Sequence, residues 1–211
     1  VEVLGGFQFL YMEQARKVLR RLGPESASYL RDATPRAAGD AGVTWRGGMA
    51  QVLGAVRGPE ADRLLDAFLS DPHPSVRARA VAAAAERDGR GARPKLRVAL
   101  TDRELGVVAA AARALGVVGD ADDAATLDAL ADRNDVSIEA RVAARASAYR
   151  LAPNPARFDA LAAFVLDDST LARTEAIDAF NAVAGRVVVE DPLLPEEDRR
   201  AAIDVWREGS K

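Results

Sequence analysis

An aspartate recurs at Asp40, Asp71, Asp102, Asp135 and Asp167, at spacings of 31, 31, 33 and 32 residues. Five residues after each stands Trp45, Val76, Val107, Ala140 or Ala172, and nine after stands Met49, Ala80, Ala111, Ala144 or Ala176. Thirteen after stands Leu53, Ala84, Leu115, Ala148 or Phe180. Offsets of 5, 9 and 13 lie one helical turn apart, so these residues form the buried stripe of a helix that follows each aspartate. A second, shorter helical pattern precedes each aspartate, as in Pro59–Ser70, Ala121–Ala131 and Pro155–Leu166. Glycine and proline punctuate the joins, with Gly23-Pro24-Glu25 and Gly58-Pro59-Glu60 as near copies. Glycine past a helix end and proline in a first turn is the expected asymmetry.

One helix pair of this size cannot bury its own apolar stripe, so neighbouring pairs must stack. The periodicity places outer helices near 24–32, 59–70, 91–100, 121–131 and 155–166. Inner helices fall near 42–56, 73–87, 103–117, 136–150 and 169–184. The expected organisation over 1–211 is one all-α domain. It has a capping helix within 1–23, five helix pairs over 24–185 and a capping segment over 186–211. Composition agrees: 49% of residues are apolar, only 5% are aromatic, and the apolar share leans on Ala. Ala is the best helix former and allows close helix approach. The longest β-branched run is Val187-Val188-Val189.

The order Asp, then Val-Arg, then Ala, then Leu-Gly resembles the HEAT repeat, in particular its short bacterial form of the bilin-lyase type. Asp71 to Ala80 and Ala114 to Asp120 carry the pattern best, and the resemblance runs from about Pro24 to Gly185. It implies a right-handed α-solenoid of stacked antiparallel helix pairs. It also implies a ladder in which Asp40, Asp71, Asp102, Asp135 and Asp167 sit in the turns, with Arg46, Arg77, Arg141 and Arg173 on the inner helices. Such an Asp can cap the helix that follows it. A guanidinium can bond a carboxylate and turn carbonyls together. Val108 interrupts the ladder in the third pair. The family implies a non-catalytic scaffold that binds a protein partner, although its members share a fold without sharing partners. HEAT-like enzymes also exist, among them alkylpurine DNA glycosylases, bilin lyases and a di-iron hydroxylase. An accessory domain of a larger protein is a further possibility, because the chain starts at Val1.

Chemistry-bearing residues are few. There is no Cys and one His, His73, which excludes thiolate sites and any multi-His metal centre, the di-iron kind included. No cofactor or metal is expected. His73 reads as a turn residue, Trp45 as core packing and Trp206 as a lid over the last core layer. Glu196, Glu197 and Asp198 read as first-turn acids that favour the helix dipole. Net charge is −3 with a pI near 5.4, which argues against nucleic acid as partner. No stretch reaches the length of a membrane span, and a cytoplasmic location is expected. Charge is uneven, with a basic run from Arg77 to Arg97 and an acidic one from Asp120 to Asp135. On the inner helices, offsets eight and eleven leave the buried stripe. They place Gln51, Arg79, Arg113, Glu175 and Asp178 on a partner-binding row, with small residues such as Gly48, Ala110, Ala143 and Ala146 as a shallow floor. Such a face suits a helix or an extended peptide. The row holds two arginines, two acids and no aromatic, unlike the basic aromatic face a glycosylase needs.

Overall fold

The computed structural model describes residues 14, 17–19, 21–33, 39 and 42–209, and every regular element among them is helical. The chain is all-α. A 3-10 turn at Gly23–Glu25 leads into α1 (Ser26–Ala33), followed by α2 (Val43–Leu53), α3 (Pro59–Leu69), α4 (Pro74–Asp88) and α5 (Arg93–Ala99). Then come α6 (Leu105–Val118), α7 (Ala121–Ala131), α8 (Ile138–Leu151), α9 (Pro155–Val165), α10 (Thr170–Ala184) and α11 (Glu196–Gly209). Outer helices α1, α3, α5, α7 and α9 alternate with inner helices α2, α4, α6, α8 and α10, at bounds within one helical turn of those expected. The N-terminal capping helix expected over Phe7–Leu22, the aspartate Asp40 and the side chain of Trp206 fall largely or wholly outside the described residues.

The chain divides into two compact units, Val1–Ala114 and Leu115–Lys211. In the first, inner helix α2 packs on α4, and outer helix α3 packs on both. In the second, α7 and α9 pack on α8, and α8 packs on α10. Within each unit this is the stacking of an α-solenoid. Gly58 precedes α3 at φ 121°, a backbone region that favours glycine, and an added Cβ there would sit 3.2 Å from Pro24 Cβ. The two Gly-Pro-Glu copies thus meet in space.

The 5–9–13 stripe is the core. Val76, Ala80, Ala84, Val107, Ala111, Leu115, Ala140, Ala144, Ala148, Ala172, Ala176 and Phe180 are all buried, as are Met49 and Leu53. Trp45 is the exception, at 70% exposed, and the packing role expected for it is corrected. Its slot holds only Val or Ala in the other four pairs, so an indole would overfill it. In the second unit the last core layer gathers Phe158, Leu161, Val165, Ile177, Phe180, Val189 and Ile203. The Phe158 ring lies 5.7 Å from that of Phe180 and 6.0 Å from that of Tyr149, the latter edge-on. Asn181 secures the chain after α10: its amide donates to the Val189 carbonyl, and its oxygen accepts from the Val188 and Val189 N–H groups.

Candidate functional site

The turn aspartates do not cap helices in the way expected. Asp71, Asp102 and Asp167 each accept the backbone N–H two residues on, from His73 (2.8 Å), Glu104 (2.9 Å) and Ser169 (2.8 Å). This is a local Asx turn, formed because a short carboxylate reaches the i+2 amide first. The caps come from the following residues. His73 Nδ1 accepts the Ser75 N–H and lies 2.8 Å from Ser75 Oγ, while Ser137 Oγ and Ser169 Oγ accept from Ala140 and Ala172. His73 is therefore occupied in starting α4. Asp135 departs again: it is exposed and bound by Arg133 at 2.7 and 2.9 Å.

In the first unit the arginines join successive pairs. Arg46 donates to both oxygens of Asp71 (2.7 and 3.2 Å) and to the Gly39 carbonyl. Arg77 donates to both oxygens of Asp102 (2.8 and 2.7 Å) and to the carbonyls of Asp71 and Pro72. Burial raises the Asp71 carboxyl, but the Arg46 and His73 hydrogen bonds outweigh it and hold the group below its ordinary value. The Arg77 hydrogen bonds do the same for Asp102, against burial. In the second unit Arg141 donates to the Ala131 carbonyl and lies 5.4 Å over the Phe164 ring. Arg173 donates to the carbonyls of Asp167, Asp168 and Pro192 and to Thr170 Oγ1. Neither makes an ion pair with a turn aspartate among the described contacts.

Much of the uneven charge is paired locally. In the basic run, Arg87 is buried against Asp88 and Asp62, and Lys95 meets Asp66. In the acidic run, Arg145 bridges Asp128 and Asp132, and Arg157 joins it on Asp128. Asp120 and Asp123 form a capping box on α7. Sequence reasoning missed this Arg145–Arg157 network and also Arg199. The buried Arg199 guanidinium donates to the carbonyls of Val165, the last residue of α9, and Leu194, so it ties α11 down. Arg157 falls 29 residues after Asp128, the separation that also joins Lys95 to Asp66, and that spacing was the available signal.

Of the partner-binding row, the first unit holds Gln51, half-buried, with Arg79 and Arg113 exposed. The second holds Glu175, half-buried, and Asp178, exposed. The small-residue floor is corrected in the fourth pair: Ala143 and Ala146 are each only 5% exposed, because α8 is flanked by helices on several sides. The face is not free of aromatics either, since Trp45 projects from α2. Exposed Glu196, Glu197 and Asp198 open α11 as first-turn acids.

A family model, that of HEAT repeats, matches residues 61–148. Over this segment, which is less than half of the chain, the sequence is similar to HEAT repeats. No curated protein and no solved structure matches the chain. HEAT repeats are commonly protein-interaction scaffolds. Among the described residues no helix is long and apolar enough to cross a membrane, and no group of three or more His, Cys, Asp or Glu side chains could hold a metal ion.

Proposed function

We propose that this HEAT-repeat chain is a non-catalytic scaffold that binds a protein partner on the exposed faces of its inner helices. The observation that carries this reading is the division of its arginines. Arg46 and Arg77 are consumed inside the repeat by bidentate carboxylate pairs, whereas Arg79, two residues after Arg77, is exposed and has no hydrogen bond or ion pair among the described residues. Arginine anchors interfaces well because its fork binds carboxylates bidentately. Gln51 and Arg113 extend this face in the first unit, and Glu175 with Asp178 offers an acidic one in the second.

The test is a pull-down from the source organism with wild type, an Arg79→Glu/Arg113→Glu variant and an outer-helix control, Arg63→Glu. The inner-face variant should lose a partner that the control keeps, with melting curves unchanged. An inner-face variant that keeps every partner at equal affinity would refute the reading and move binding to the outer helices or an end of the stack.

A further inference from the structure

Helix α2 carries a partly exposed strip in which Thr44 is exposed and Gly48 and Gln51 are half-buried. Thr44, Gly48 and Gln51 line its centre at helical spacing, and the Gly47-Gly48 pair leaves the backbone low. Arg79 crosses from α4 and lies flat on this helix: a Cβ added at Gly47 would sit 3.0 Å from Arg79 Cδ and 3.0 Å from Nη1. Trp45 is two residues from Gly47, about 200° around the helix at 3.6 residues per turn. The 70%-exposed indole and the Arg79 guanidinium therefore flank opposite sides of the strip. The strip itself contains no acid, since α2 reads VTWRGGMAQVL. The nearest acid from α4 along the same crossing is Glu86, whose Oε2 would lie 2.9 Å from a Cβ added at Gly54. Gly54 is seven residues from Gly47, about 10 Å along the helix axis at 1.5 Å per residue.

We propose that this face of α2 is the docking surface for an acidic peptide segment of a partner protein, with Arg79 holding a carboxylate and Trp45 covering an adjacent apolar side chain. The inference rests on the scaffold reading and adds the chemistry of the partner. Charge complementarity selects the occupant. Arg79 is a cation without a counter-ion among the described residues, and its side chain already lies against Gly47, so a carboxylate completes it with little ordering cost. An indole offers large apolar area with few rotatable bonds, which suits an anchor beside that contact.

A fluorescein-labelled peptide, Gly-Ser-Leu-Glu-Leu-Glu-Leu-Ser-Gly, tests this by anisotropy titration of the full chain. Versions with Gln or Lys in place of Glu, and unlabelled oligodeoxythymidine as competitor, run alongside. Wild type should bind the Glu peptide at least tenfold more tightly than the Gln and Lys versions. Arg79→Glu should weaken that binding at least tenfold and Trp45→Ala at least threefold. Arg90→Glu, at an exposed arginine away from the strip, should change it less than twofold. Circular dichroism melts verify that each variant is folded. If Arg79→Glu does not fold, Arg79→Gln replaces it with the same expectation. Equal affinity for the Gln or Lys peptide overturns the proposal, as do unchanged affinity in both strip variants and displacement by oligodeoxythymidine below the peptide's own concentration. The absence of any peptide binding also overturns it. The scaffold reading falls separately, on the pull-down above.

Discussion

Gly106 and Gly116 lie on the same helix, α6, yet alanine at the two positions should act in opposite directions. A Cβ added at Gly116 would sit 2.5 Å from Ser147 Cβ and 3.0 Å from Ser147 Cα on α8, whereas one added at Gly106 meets nothing within 4 Å. Because one of the opposing atoms is backbone, no change of rotamer relieves the clash, and α6 must move off α8. Overpacking of this kind costs about 3 kcal/mol at its upper range. Alanine in place of glycine returns about 1 kcal/mol through helix propensity. Gly116→Ala should therefore destabilise by about 2 kcal/mol, lowering the melting midpoint by roughly 4–8 °C for a chain of this size. Gly106→Ala gains propensity without the clash, and because Gly106 lies in the first turn rather than the helix interior the gain should be smaller, about 0.5 kcal/mol. Thermal melts followed by circular dichroism at 222 nm measure both, and a Ser147→Gly background should recover part of the Gly116→Ala loss. If Gly116→Ala melts at or above wild type, the close approach of α6 to α8 is wrong.

Asp102→Ala strips both carboxylate contacts from the buried Arg77 and should cost about 2–3 kcal/mol. Asp135→Ala removes only an exposed pair and should stay within about 0.5 kcal/mol; urea midpoints separate the two, and equal losses would contradict the described pairing. Asp71 and Asp102 have folded-state values below those of the unfolded chain, so the unfolded state binds protons more readily and stability falls with falling pH. That contribution should be complete above the unfolded carboxyl value of about 4 and lost progressively below it. Denaturation midpoints between pH 7 and pH 2 check this, and Asp102→Asn should flatten the acid limb. Arg199→Ala frees the Val165 and Leu194 carbonyls and should speed hydrogen exchange in α11 at least tenfold while leaving α3 and α4 unchanged.

The helix pairs were legible because burial repeats with the helical period. Val76, Ala80 and Ala84 need no knowledge of their neighbours to be placed inside. What periodicity cannot weigh is volume. It assigned Trp45 to the same slot as Val76 and Val107, and only the size of the packed space shows that an indole turns outward. It also cannot tell which of two nearby groups wins a polar atom. Asp71 and Asp102 could each have capped a helix, but the amide two residues on lies closer, and His73 Nδ1 takes the capping role before α4. The basic and acidic runs were visible as composition. Their neutralisation by Arg87 with Asp62, and by Arg145 with Asp128, depends on which helix faces which.

The change in the arginine ladder between the two units has a simpler origin, in the length of the repeat. Arg46 meets Asp71 and Arg77 meets Asp102 across a separation of 25 residues, and both belong to steps in which the aspartates are 31 residues apart. The next step is 33 residues and carries Val108 at the arginine position. The one after is 32, which puts Asp167 a residue further from Arg141 than the pairing distance in sequence that works elsewhere. One extra residue in a connecting turn rotates or advances the aspartate relative to the inner helix before it, and a bidentate fork does not tolerate that shift. Arg141 then settles on the Ala131 carbonyl and the Phe164 ring, both of which accept a guanidinium over a wider range of geometry than a paired carboxylate does. A recurrent arginine at a constant offset thus predicts a ladder only where the repeat length is also constant. In this chain that holds for the first two steps alone.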